Sequence, residues 1–113
     1  MAGLSVGSSL ANAIFETSKA FPKEEKYSLT DQIRRSSRSV CANLGESYLR
    51  RHYPQHFKAK LIDCGSENDE TQVWLDFALD CQYIDCMTYE KLTTQAITTG
   101  KLLTYMLRNP EKY

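Results

Sequence analysis

Neither sign of charge is in excess: 14 Lys and Arg stand against 14 Asp and Glu, for a formal net charge of zero. Domains whose main task is to bind phosphate usually carry a clear basic surplus, so the balance argues against that task for the chain as a whole. No run approaches the roughly 18 apolar residues of a membrane span. The start, MAGLSVGSSLANAIFE, lacks the basic stretch and long apolar core of a secretion signal. A membrane partner is therefore not expected, and a reducing cytoplasm is the expected location. There is no glycine-serine linker, internal repeat or low-complexity tract, and 113 residues suffice for one compact domain and not for two.

Metal-ligand spacing is missing as well. Cys41, Cys64, Cys81 and Cys86 form no CxxC pair. They read as free thiols behaving like small buried hydrophobes rather than as the bridges of a small secreted domain. His52 and His56 lie four apart, but Pro54 sits between them at a helix start and no third ligand is evident. TTGK at 98–101 lacks the earlier glycine and the following Ser or Thr of a phosphate loop. No metal and no cofactor are expected. No catalytic set of Ser-His-Asp or Cys-His type assembles, and the paired carboxylates Glu67 and Glu70 read as structural ion-pairing groups.

What is present is helical period. Leu10, Ile14 and Thr17 share a face of a first helix, with Ala13 beside them; Phe21-Pro22 stops it, because the residue before proline is pushed out of the α region. Ser28 with Asp31 resembles a capping box. A second helix then carries Leu29, Ile33, Ser36, Val40, Leu44 and Ser47. After Arg51-His52-Tyr53, Pro54 opens a third helix with Phe57, Leu61, Cys64, Asn68, Thr71, Leu75 and Ala78 at alternating steps of four and three. Asp85 is placed to cap a fourth, with Leu92, Ala96, Thr99, Leu103 and Met106, ending before Pro110. Gly100 in that helix reads as a point of close approach. Short connections imply antiparallel neighbours: an all-α, up-down-up-down four-helix bundle spanning residues 1–113, with 1–7 expected to fray.

Charge is sorted along the chain. Residues 32–60 hold Arg34, Arg35, Arg38, Arg50, Arg51, Lys58 and Lys60 against Glu46 alone, whereas 61–90 hold eight acidic residues and no Lys or Arg. Gln32, Arg35, Ser39, Asn43 and Glu46 line one stripe of the second helix; Asp63, Glu67, Glu70 and Trp74 line one of the third. The arginine fork matches carboxylates, so the stripes are expected to meet, within the chain or across a subunit contact.

The segments FPKEEKYSLTDQIRRSSRSVCANLGES (21–47), HFKAKL (56–61) and ETQVWLDFALDCQYI (70–84) together resemble the S23 or 23S rRNA intervening-sequence protein family, over roughly residues 14–107. Gln32, Arg34, Arg35, Ser39, Asn43 and Glu46 match its second-helix pattern, and Glu70, Thr71 and Gln72 its third. Cys41 and Leu44 depart from it, and the first helix lacks the usual Trp-bearing start. The resemblance implies an antiparallel bundle that assembles into a ring-like homo-pentamer, and it implies no established activity. The accessory proteins of diversity-generating retroelements are a distantly similar bundle; they bind nucleic acid and tend to be strongly basic, which this chain is not.

The reading is a non-enzymatic, homo-oligomeric scaffold whose polar network comprises Gln32, Arg34, Arg35, Ser39, Asn43, Glu46, Glu67 and Glu70, with both arginines held by carboxylates. The rival is a nucleic-acid adaptor using Arg38, Arg50, Arg51, Lys58 and Lys60 on one rim.

Overall fold

The computed structural model describes residues 2–113, so Met1 lies outside the described residues. Its helices are α1 (Ala2–Ser18), α2 (Leu29–Leu49), α3 (Pro54–Asp80) and α4 (Cys86–Arg108), with single 3₁₀ turns at Lys23–Glu25 and Pro110–Lys112. The described residues contain no strand. α1 begins at Ala2, within the segment expected to fray, and Gly7 is buried where an added Cβ would lie 3.3 Å from Cys41 Sγ.

Cross-helix partners run in opposite senses. Arg35 meets Glu67 and Glu70, Thr71 meets Ser36, Cys64 meets Val40 and Lys60 meets Glu46, so numbers rise on α2 as they fall on α3. Asn68 meets Ala96 and Asp76 meets Tyr89 in the same way between α3 and α4. α1 packs on α2 and α4, closing a square of antiparallel neighbours 44 × 25 × 18 Å.

The heptad stripes of α2, α3 and α4 are buried as their spacing requires. Those of α3 and α4 account for every buried residue of the two helices, and α2 adds Thr30 and Ser37. α1 differs: Leu10, Ala11, Ile14 and Ser18 are buried, while Thr17 and Ala13 are half-buried, because the helix faces two neighbours rather than one. Cysteine burial also departs from expectation. Cys64 is buried and Cys41 half-buried, but Cys81 and Cys86 are exposed where they flank the α3–α4 turn.

The core has two apolar clusters. One contains Leu10, Ile14, Ile33, Leu75, Leu92 and Ala96 with their neighbours; the other contains Leu44, Phe57, Leu61, Cys64, Leu103 and Met106. Between them lie the buried polar residues Ser36, Asn68, Thr71 and Thr99. The Thr71 hydroxyl sits between Ser36 Oγ (2.8 Å) and the Glu67 carbonyl (2.9 Å), and Asn68 Nδ2 donates to the Ala96 carbonyl (2.9 Å).

Helix ends follow local chemistry. The Asp85 carboxylate caps α4 by accepting from Thr88 N–H at 2.7 Å. Ser28 precedes α2 but its hydroxyl donates to Glu25 instead of capping, which corrects the expected capping box. Asp31 carries a shorter side chain than the Glu or Gln that normally reaches back. At the end of α3, Gln82 adopts φ 63°, with Tyr83 N–H bonded to Ala78 and Gln82 N–H to Leu79. Glycine is the usual residue in this left-handed stop.

Candidate functional surfaces

Arg35 projects from α2 toward α3, where the helical period also places Glu67 and Glu70. Its Nη1 lies 3.1 Å from Glu67 and its Nη2 2.5 Å from Glu70, while Nε donates to Gln32 at 3.1 Å. Trp74 Nε1 donates to the same Glu70 oxygen at 3.2 Å, a link the spacing of the stripe contains but its charge does not announce. The bond to Glu70, foremost, raises the Arg35 pKa further above its ordinary value. Both carboxylates belong to the same chain, so these charge stripes meet inside the protomer.

Arg34 is not held by those carboxylates. One residue along a helix is a 100° turn, which aims Arg34 at α1. Its Nε donates to Ser18 at 2.7 Å and its guanidinium lies 4.7 Å from the Phe15 ring, with Arg38 at 5.1 Å from the same ring. Ser39 and Asn43 also stand apart from the Arg35 network: Asn43 Nδ2 donates to the Ser39 carbonyl within α2. Glu46 pairs with Lys60 at 2.8 Å, which holds the Glu46 carboxyl below its ordinary range through the hydrogen bond first and the charge second. Lys60 is thereby removed from the set of free basic residues, and Arg38 lies beside α1 rather than on the rim.

Arg50, Arg51 and Lys58 share one end of the bundle, around the α2–α3 turn. Arg51 bonds the Tyr48 carbonyl at 2.9 Å and lies 4.1 Å above the Tyr48 ring. Tyr53 is 63% exposed, with its ring 6.0 Å from that of His56. Beside Lys58 is a notch of about 190 Å³ between Pro54, Phe57, Leu61, Leu107 and Pro110.

An open groove of about 780 Å³ lies between α3 and α4, lined by the apolar Ile62, Ile97 and Tyr105 and by the charged Asp69, Lys101 and Arg108. Ile62, Ile97 and Tyr105 remain 50%, 45% and 43% exposed. Gly100 lies against the Asn68 amide, where an added Cβ would make ordinary contact with Nδ2 at 3.4 Å, and the Asn68 Oδ1 is buried without a partner. α4 carries no charged residue from Leu92 to Gly100, and this stretch, LTTQAITTG, was the sequence signal for the surface that charge-based reading passed over.

Burial, with Asp63 second, pushes Cys64 up to about 12, the wrong direction for a nucleophile. Among the described residues no three His, Cys, Asp or Glu gather where a metal could sit, and no helix is long and apolar enough to cross a membrane.

No curated protein matches this chain. A solved structure does: a protein with unknown function from the S23 ribosomal protein family of Bacteroides thetaiotaomicron VPI-5482, 26% identical, covering 93% of this chain and 97% of its own, with a TM-score of 0.84. The family described as 23S rRNA-intervening sequence protein matches residues 5–105. Helix order, core stripes and both comparisons agree that the chain belongs to the 23S rRNA-intervening sequence protein family.

Proposed function

We propose that the protein is a non-enzymatic scaffold that works as a homo-oligomer, its copies joined through the outer face of α3 and α4. One observation carries this reading: the uncharged Leu92–Gly100 stretch borders an open groove in which half-exposed Ile62, Ile97 and Tyr105 stand among Asp69, Lys101 and Arg108. Exposed apolar and aromatic side chains with charged and polar residues around them are the mark of an interface between copies. The two exposed thiols, Cys81 and Cys86, suit a reducing compartment such as the cytoplasm. The ring-like pentamer implied by the family resemblance sets the expected number of copies at five.

Light scattering after size exclusion tests the reading. The wild-type protein should elute as a multiple of 12.9 kDa, and Ile97→Glu, which places a charge on an already half-exposed site, should reduce it to the single chain without loss of helicity. A wild-type protein that stays at the single-chain mass at high concentration overturns it.

A further inference from the structure

We propose that the end of the bundle formed by the α2–α3 turn binds single-stranded nucleic acid, phosphates on Arg50, Arg51 and Lys58 and bases on Tyr53 and in the adjoining notch. The zero net charge conceals two unlike ends. Residues 46–60 and 101–113 hold seven Lys and Arg against Glu46 and Glu111; residues 19–31 and 76–91 hold four Lys against seven Asp and Glu. A polyanion therefore meets an attractive end and a repellent one, and neutrality of the whole does not decide binding at one of them.

Folding does not call for this layout. α3 carries Lys58 and Lys60 near its N-terminus and Asp76 and Asp80 near its C-terminus, in the sense that adds to the helix dipole instead of offsetting it. The dipole's positive end thus lies under the same cations.

The aromatic groups choose among anions. Tyr53 is exposed beside His56, and the half-buried Arg51 guanidinium lies 4.1 Å from the ring of Tyr48, itself 45% exposed. The notch beside Lys58 is apolar, with room for about one flat ring. Unpaired bases offer free π-faces to such surfaces, whereas a duplex hides them and an acidic peptide has none to offer. Lys60 and Arg38 take no part, being engaged with Glu46 and Phe15 respectively.

Anisotropy of labelled oligo(U) and oligo(dT), titrated with the full-length protein over a salt series, tests the assignment. Both probes should bind at low salt, and a preference for either one sets the sugar and supports the site. Each removed phosphate contact should lower the salt slope by about 0.7, so the double variant Arg50→Ala/Lys58→Ala should lower it by somewhat more than one. Tyr53→Ala should weaken binding about five-fold or more with the slope unchanged. Lys91→Ala, at the far end, should bind as wild type. Circular dichroism confirms that each variant is folded. Absence of binding at low salt overturns the proposal. So does heparin or duplex DNA bound as tightly as the single strands with Tyr53→Ala harmless, which would mark a generic cationic surface, and so does a Lys91→Ala loss equal to that of the double variant.

Discussion

On its α2 side α3 is fastened through its middle turns: Lys60 to Glu46, Cys64 to the Val40 carbonyl, Thr71 to Ser36, and Glu67 and Glu70 to Arg35. On its α4 side the fastenings are Asn68 to Ala96 and Tyr89 to Asp76, and between Ile62 and Tyr105 the helices part into a groove. The same 27-residue helix thus has one flank whose arginine-facing carboxylates are paired within the chain and another that opens into a groove holding Asp69, Lys101 and Arg108 beside its apolar side chains. The charges shared by α2 and α3 set how two helices of one chain dock, while the exposed apolar side chains Ile62, Ile97 and Tyr105 lie on the other flank.

Five substitutions would break or sharpen that contrast. Asn68→Asp should be the most damaging, at about 3–5 kcal/mol in urea unfolding at neutral pH, because an ionised carboxylate there is buried beside the Ala96 carbonyl without a cation. Little loss would mean the floor of the groove is open to water. The adjacent pair Leu61→Ala and Ile62→Ala separates core from groove. The first should cost about 2–5 kcal/mol, the second about 0.5 kcal/mol or less in the isolated chain, yet only the second should reduce the oligomer measured by light scattering. Equal effects on both readouts would erase the distinction between the flanks.

Glu70→Gln should cost about 0–1 kcal/mol and less in high salt, since the Arg35 side chain is 42% exposed. Its oligomeric mass should be unchanged, because Arg35 and Glu70 are partners within one chain. Smallest is an acid effect at the far end. Glu25 is held below its ordinary 4.5 by the Ser28 hydroxyl first and the Tyr83 hydroxyl second. Its contribution is full above the unfolded value and is lost as pH falls through the folded one. Glu25→Gln should therefore flatten stability against pH in that window, followed by circular dichroism, by slightly lowering the neutral plateau while leaving the acid end as in the wild type.

Much of this fold was legible from period alone. The steps of four and three through Phe57–Ala78 and Leu92–Met106 name the buried faces, because a residue on the core line of a long helix has one direction to point. Legibility fell at the margins of those lines. Arg34 and Arg35 are adjacent and chemically identical, and which of them meets α1 and which α3 depends on neighbours that helical period does not specify. Ser28 failed as a cap because its backbone, at φ −124° and ψ −103°, lacks the extended conformation that turns a cap oxygen toward the first-turn N–H groups. Of the candidate site, Arg35, Glu67 and Glu70 came together as their spacing required. The groove was overlooked because its signature is a lack, nine residues of α4 without a charge, and the eye goes to what is charged.

The buried amide and hydroxyls that divide the interior have a consequence for alignment. Heptad seams of similar leucines permit a helix to slip along its neighbours by one repeat and still bury hydrocarbon. Here such a slide would carry Asn68 and Thr71 into the layer of Leu61 and Leu103, stripped of the Ala96 carbonyl and Ser36, at a few kcal/mol for each stranded group. Those residues act as an indexing pin: the four rods have one setting, and every surface on them is delivered at a reproducible height.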